Sequence, residues 1–363
     1  MLQIRRQKKA DQVVGLEIEA AGIAAAEVDA ANRVSGAMQP LPADAFHEGE
    51  IVDADAVTAG LKELWSQHKL SKRVRVGIGN QRVVVRTLRL PAIEDPEEMK
   101  AAVRFQAQEQ MPMPLDQAVL EHQVVGGVAG ADGTSPQVDV VVVAARREMV
   151  ESFVEPLRRA GLEPVGIDLS AFGMIRALAG LDVGGTAAPT EAGEGEAPGD
   201  QAVLYCNLGD VMNLAVARGR SCLFTRVSLG GMEPIAGRLA DEAGLTPEHA
   251  RQWLAYVGLS APVEQIEGDP EVVARTRAAL ANGVSDLVDE LRLSLDYYGA
   301  QESAVPVDRI VVCGPGSAIP GLTAAMEGNV ALPIVAARPA AFAGYDDGVA
   351  ARLTLAYGLA LES

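Results

Sequence analysis

Val14, Leu16 and Ile18 alternate with Gly15, Glu17 and Glu19, the period-two spacing of a strand with one face buried. The runs VVGLEIEA, AGIAAAEVDA and ANRVSGAMQPLP are short, apolar and separated by turn-forming residues, which predicts a strand meander. A helix follows, with Val57, Leu61 and Leu64 at helical spacing behind Asp53 or Asp55, either of which can cap it. RVRVGIGN and RVVVRTLRLP then read as two more strands. In DPEEMKAAVRFQAQEQMP, Asp95 is placed to cap a helix, Pro96 to occupy its first position and Pro112 to end it. Met99, Val103, Phe105 and Met111 are the expected buried side.

Strands are expected at residues 118–125 and 138–144, on either side of the loop GGVAGADGTSP. REMVESFVEPLRRAGLEP reads as a helix stopped at Gly161, and VGIDL as a last strand. This succession predicts a compact unit at residues 82–165. Residues 182–200, DVGGTAAPTEAGEGEAPGD, hold five acids, no base and few apolar side chains, the composition of a flexible linker. The second half repeats the meander in AVLYCNLGD, NLAVARG and SCLFTRVSLGG. Helices are then expected at residues 234–243, 247–256 and 271–298, the last with Leu280, Val284, Leu287, Leu291 and Leu295 on one side. RIVVCGPGSAIPGL is a strand and turn, and VAARLTLAYGLAL a final amphipathic helix.

Charge narrows the function. With 31 Lys and Arg against 49 Asp and Glu, the net charge of -18 repels phosphate backbones and argues against nucleic-acid binding. The head runs the other way: Arg5, Arg6, Lys8 and Lys9 stand there without an acid, a segment able to touch an anionic membrane or to remain a solvated terminus. No window reaches the roughly 18 apolar residues of a membrane span, and the head lacks the apolar stretch of a signal peptide. Cys206, Cys222 and Cys313 are far apart and without C-x-x-C spacing, so neither a disulfide framework nor a structural zinc site is indicated and a cytoplasmic setting fits. His47, His68, His122 and His249 form no local metal motif.

Three glycine-bearing turns follow apolar strands: Asn207-Leu208-Gly209-Asp210, Leu229-Gly230-Gly231 and Cys313-Gly314-Pro315-Gly316-Ser317. Glycine lets backbone N–H groups approach a ligand, and successive N–H groups make concave sites for phosphate oxygens. No Walker sequence occurs, and each turn taken alone is a tight turn. Their order says more. Two meander halves, a Gly-Gly turn and a late G-P-G-S before a terminal helix describe an α/β chain of two-lobed, actin-like (ribonuclease H-like) fold, with nucleotide between the lobes.

More specific are GEIVDADAV (49–57), IGNQRVVVRTLRLP (78–91), RFQAQEQMPMPLDQAVLEHQVVG (104–126), VVVAARREMVESFVEPLRRAGLEPVGIDLSAFGMIRAL (141–178), FTRVSLGG (224–231) and CGPGSAIPGL (313–322). With these the sequence resembles, over essentially its whole length, the PilM proteins of type IV pilus assembly, relatives of the cell-division protein FtsA. The resemblance implies a first lobe core of residues 1–81 plus 166–181 and an FtsA-type 1C insert subdomain at 82–165. It implies a second lobe core of 201–235 plus 303–363, with a helical subdomain at 236–302. It further implies a cytoplasmic protein, peripheral to the inner membrane, that binds ATP with magnesium and holds the cytoplasmic N-terminal tail of the membrane protein PilN. The tail's place would be the cleft between the first lobe and the insert, and the complex would connect the alignment complex to the pilus motor. Homo-oligomers or filaments, as in actin relatives, stay open.

The nucleotide turns depart from the family pattern G-[IL]-D-I-G-[ST]-x-x-[IV]-K. Its acid is Glu17 here, its turn glycine Glu19, its hydroxyl residue Ala20 and its base Ala24. In the second turn the usual Asp is Asn207 and a Thr position is Asn213. A carboxylate where phosphates lie repels them, and a neutral amide is a poor partner for magnesium-bound water. Gly209, Gly230, Gly231, Gly314 and Gly316 keep the turns, while Glu290 and Ser294 share a helix face near the implied adenosine pocket. The expected nucleotide site is therefore Glu17, Asn207, these five glycines, Glu290 and Ser294, with ATP binding weakened or lost, no catalytic or metal-ligating residue assigned, and no efficient ATPase. Glu17 and Glu19 lie on one strand face, and a solvated edge or a salt bridge is the simpler account of the pair. The alternative is a working ATPase or kinase of the same fold, which needs an intact metal site and a general base.

Overall fold

A computed structural model describes residues 12–128, 136–181, 201–301 and 304–361. The basic head and the acidic linker at 182–200 lie outside the described residues. The chain opens with β1 (Val14–Glu19), β2 (Gly22–Val28) and β3 (Val34–Pro40), the expected meander, followed by the short pair β4 (Phe46–His47) and β5 (Glu50–Ile51). Helix α1 (Ala54–Gln67) starts behind Asp53, whose carboxylate accepts the N–H groups of Asp55 and Ala56. Strand β6 (Arg73–Ile78) lies parallel to β1.

Residues 80–154 form a separate compact unit. It holds β7 (Val84–Pro91), α2 (Pro96–Gln110), β8 (Ala118–Val128) and β9 (Gln137–Arg146), its boundary falling within α3 (Arg147–Arg159). The sheet order is β7-β9-β8 with both pairs antiparallel. Met99, Val103, Ala107 and Met111 of the α2 segment pack with Leu88, Val140 and Val142, so the methionines serve the core. Phe105, expected on that face, is 70% exposed: it follows Val103 by two positions, which a helix turns about 200° away. Asp95 caps α2 by accepting from Glu97 and Glu98 N–H at 2.9 Å each. Asp95→Ala is expected to cost about 1 kcal/mol, read as faster amide exchange confined to the first turn of α2.

The unit stops short of residue 165 because β10 (Glu163–Leu169) belongs elsewhere, pairing in parallel with β6 in the first sheet. After it comes α4 (Ser170–Leu178). The second half supplies β11 (Ala202–Leu208), β12 (Met212–Arg218), β13 (Ser221–Ser228), α5 (Met232–Ala243), α6 (Pro247–Val257), α7 (Pro270–Gly299), β14 (Val307–Cys313), α8 (Leu322–Glu327), β15 (Ile334–Ala336) and α9 (Asp347–Ala360). The two sheets correspond strand for strand: β10-β6-β1-β2-β3 and β15-β14-β11-β12-β13, each a meander flanked by two parallel strands. In each lobe the meander's first turn projects from the end of the central hairpin.

Three features of the packing cut across the implied boundaries. Helices α5, α6 and α7 share one core with the second sheet, through Leu239, Leu254, Leu280 and Leu287 against Leu204 and Leu214, so residues 236–302 have no core of their own. Helix α4, assigned with the first lobe, buries Met174, Ile175 and Leu178 against Val203, Tyr205 and Ala215 of the second sheet. Helix α9, assigned with the second, lays Ala350 and Leu353 against Ala24, Val34 and Met38 of the first. Both helices thus lie between the lobes, each packing on both, and touch each other. Contact on several sides explains why α9 buries Leu353, Thr354, Leu355, Ala356, Gly358 and Leu359 in succession rather than showing the expected amphipathic stripe. Its last carbonyls are satisfied by cations, as a helix C-terminus favours: Arg75 Nη1 donates to Leu359 and Leu361 O at 3.0 and 2.8 Å, and Arg176 Nε to Gly358 O at 2.9 Å.

Candidate functional site

The β1–β2 turn of the first lobe and the β11–β12 turn of the second meet. Ala20 N–H of the first donates to Asp210 Oδ2 of the second. In the opposite direction, the Glu19 carboxylate packs on Gly209 so closely that a Cβ there would collide with Glu19 Oε1 and lie 2.7 Å from Asn207 Nδ2. The second turn is held from behind by α5: Met232 N–H donates to Gly209 O at 2.8 Å, and a Cβ on Gly231 would run into the Asp210 carbonyl.

Of the expected site residues, Glu17 is a buried carboxyl: it is 6% exposed and makes no ion pair among the described residues. Its carboxylate accepts from Ser170 Oγ at 2.8 and 3.0 Å, in a slot that Gly77 leaves open. Neither a solvated edge nor a salt bridge therefore describes it. Burial first, opposed by the Ser170 hydroxyl and aided by Asp210, raises its pKa from 4.5 to about 8. Glu19, half-buried, is raised to about 7, chiefly by desolvation and then by Glu17, against the lowering effects of Arg352 and Asn207. Burial, with Glu19 and Glu233, also pushes Asp210 well up, against the Ala20 N–H and Arg251. Burial, reinforced by repulsion among them, thus holds three carboxyls from two lobes toward the protonated state.

Asn207 is buried and its Oδ1 faces Cys313 Sγ at 3.7 Å; Gly314, at φ +81°, leaves it room. Burial alone raises the Cys206 thiol, and with its neighbours that of Cys313. Gly316 abuts Leu208 and Met232. Gly230 packs on Glu290, and both Glu290 and Ser294 are engaged by Arg226, whose Nη2 lies 3.3 Å from Glu290 Oε2 and whose Nη1 donates to Ser294 Oγ at 3.0 Å. The residues therefore fall into two groups: Glu17, Asn207, Gly209, Gly314 and Gly316 near the paired turns, and Gly230, Glu290 and Ser294 around Arg226. Gly231 backs the second turn.

Sequence reasoning misses four participants. Asp210 follows directly on Gly209, and its position in the turn is the available signal. Ser170, Arg226 and Arg352 carry no local signal, because their partners lie 153, 64 and more than 300 residues away in the chain. Beside the turns a cavity of about 560 Å³ is bounded by Met38, Asp210, Glu233, Arg251, Ile319 and Arg352. One wall is fixed by the two-pronged pair of Arg251 with Glu233, at 2.9 and 2.6 Å. Among the described residues no group of three or more His, Cys, Asp or Glu is arranged to hold a metal ion, and no helix is long and apolar enough to cross a membrane.

Solved structures share this architecture. One belongs to a PilM–PilN type IV pilus biogenesis complex, 22% identical, covering 97% of this chain and 98% of that one with a TM-score of 0.75. An MreB protein of Spiroplasma citri bound to ADP matches at 12% identity over 97% and 95% of the two chains, TM-score 0.52. The ethanolamine utilization protein EutJ from Carboxydothermus hydrogenoformans matches at 12% over 95% and 88%, TM-score 0.51. The fold is thus the actin-like one. The family model for the type IV pilus assembly protein PilM matches residues 15–363, and the chain belongs to that family.

Proposed function

We propose that this chain works in type IV pilus assembly as an adaptor that docks the cytoplasmic N-terminal tail of a PilN-like inner-membrane protein, with nucleotide binding weakened or lost. Family membership over residues 15–363 supports the pilus role, and a fold shared with the protein of a solved PilM–PilN complex supports the choice of partner. The protein would sit at the cytoplasmic face of the inner membrane through that partner and relay contact to the alignment complex and motor.

The observation that carries the nucleotide half of the reading is the Glu19 carboxylate lodged against Gly209. An ATPase or kinase of this fold needs phosphate-facing donors and an acid to orient magnesium-bound water. Here the acid position is Asn207, and Glu17 is turned to Ser170. Calorimetric titration of the full chain with a synthetic tail of its PilN-like partner tests the proposal. Saturable binding is expected, with an affinity that magnesium-ATP changes by less than about twofold. Failure to bind the tail, or binding that requires ATP, would overturn it.

A further inference from the structure

We propose that Glu19 and Asp210 form a built-in clasp that stands where the phosphates of a nucleotide would otherwise join the two lobes, so that this molecule closes itself without a ligand. The inference deepens the nucleotide half of the proposed function and is independent of the tail.

A bound phosphate bridges two such turns because it is an anion that accepts backbone N–H groups from both. In this chain a side chain of each lobe reaches into the other. The second lobe's Asp210 takes the Ala20 N–H, a donor that the first turn would present to a phosphate, and the first lobe's Glu19 takes the space over Gly209, where the second turn would admit one. The exchange is reciprocal, so neither turn is left open. These residues do not fit a phosphate: it would have to displace Glu19 from Gly209 and compete with Asp210 for Ala20 N–H, beside Arg352 and an Arg251 already paired with Glu233. The base that the first turn of the family pattern carries at position 24 is alanine.

The surroundings are built for the clasp. Gly209 must lack a side chain to receive Glu19, and Gly231 must lack one to let Asp210's carbonyl lie close. Arg352 from α9 and Arg251 from α6 flank the carboxyls from the first- and second-lobe sides, and Arg251 is itself fixed by Glu233. Glu19 thus meets a receptor on the other lobe: Gly209, one of the glycines that keep the turns, leaves it room, and Asp210 reaches back to the Ala20 N–H.

Hydrogen exchange of the full chain reads the clasp directly through the amides of residues 19–24 and 209–212. Asp210→Ala removes the acceptor and Glu19→Gly the plug; each is expected to speed exchange in both turns by about tenfold or more. Asp210→Asn keeps an acceptor for Ala20 N–H, and Glu19→Gln keeps the shape over Gly209, so both should retain the protection. Unchanged exchange in Asp210→Ala and Glu19→Gly would overturn the clasp, as would loss of protection in the amide variants equal to that in the truncated ones. Should a truncated variant fail to fold, the unmodified protein still decides. Magnesium-ATP is expected to leave exchange of both turns unchanged, and ATP-induced protection would overturn the clasp whether or not the PilN-like tail binds.

Discussion

Gly358→Ala is expected to lower the free energy of unfolding by about 3 kcal/mol or more, the largest loss from adding a single methyl group to the two helices between the lobes. Gly358 lies inside α9 where that helix crosses α4, and a Cβ there would collide with the carbonyl of Gly173 and stand 3.1 Å from Ala177 Cβ. The obstruction is backbone, which cannot rotate aside, so the helices must separate. On the far side of α9 the approach is equally close, since a Cβ on Gly15 of β1 would strike Ala356 O and Ala360 N. Helix α9 is therefore wedged between β1 and α4 and has nowhere to retreat. The same substitution at Gly237, inside α5 with nothing within 4 Å of its Cβ, should be neutral or stabilise by roughly 0.5–1 kcal/mol through helix propensity. Urea unfolding of the two variants beside the unmodified chain gives the comparison. Equal midpoints would mean that the crossing is looser than its geometry.

The same crossing marks where sequence reading stops. The β1–β3 and β11–β13 meanders and the capped start of α2 are legible because alternation, turn residues and caps act between neighbours. Which sheet α4 and α9 cover is decided by partners distant in the chain, and two apolar helices carry no address. Strand β10 reads with the insert because it follows α3, yet parallel pairing with β6 across 90 residues places it in the first lobe. At the site, Glu19 announces itself as a departure from a pattern. That Asp210 answers it from the other lobe needs coordinates, since nothing in Asn207-Leu208-Gly209-Asp210 says which side chain crosses the cleft.

Glu17→Gln is expected to stabilise the protein strongly at alkaline pH and hardly at all at acid pH. The unfolded chain releases the Glu17 proton near 4.5, whereas burial keeps it in the folded protein to about pH 8. Between those values folding takes up a proton, so stability from this group is complete below about pH 4.5 and is lost as pH rises to about 8. Every pH unit separating proton release in the folded and unfolded chains corresponds to about 1.4 kcal/mol, which sets the expected gain of the glutamine variant at roughly 3–5 kcal/mol at pH 8.5 and near zero at pH 4. Glutamine keeps an oxygen to accept the Ser170 hydroxyl, so the geometry is preserved while the ionisation is removed. Glu19 and Asp210 face the same space and titrate with it, so the unmodified protein should lose stability over a broad interval from about pH 4.5 upward, narrowed but not abolished in the variant. Denaturant unfolding at half-unit pH steps measures both curves. A constant difference between them across the range would mean that Glu17 is ionised in the folded protein and that the stacked carboxyls do not hold its proton.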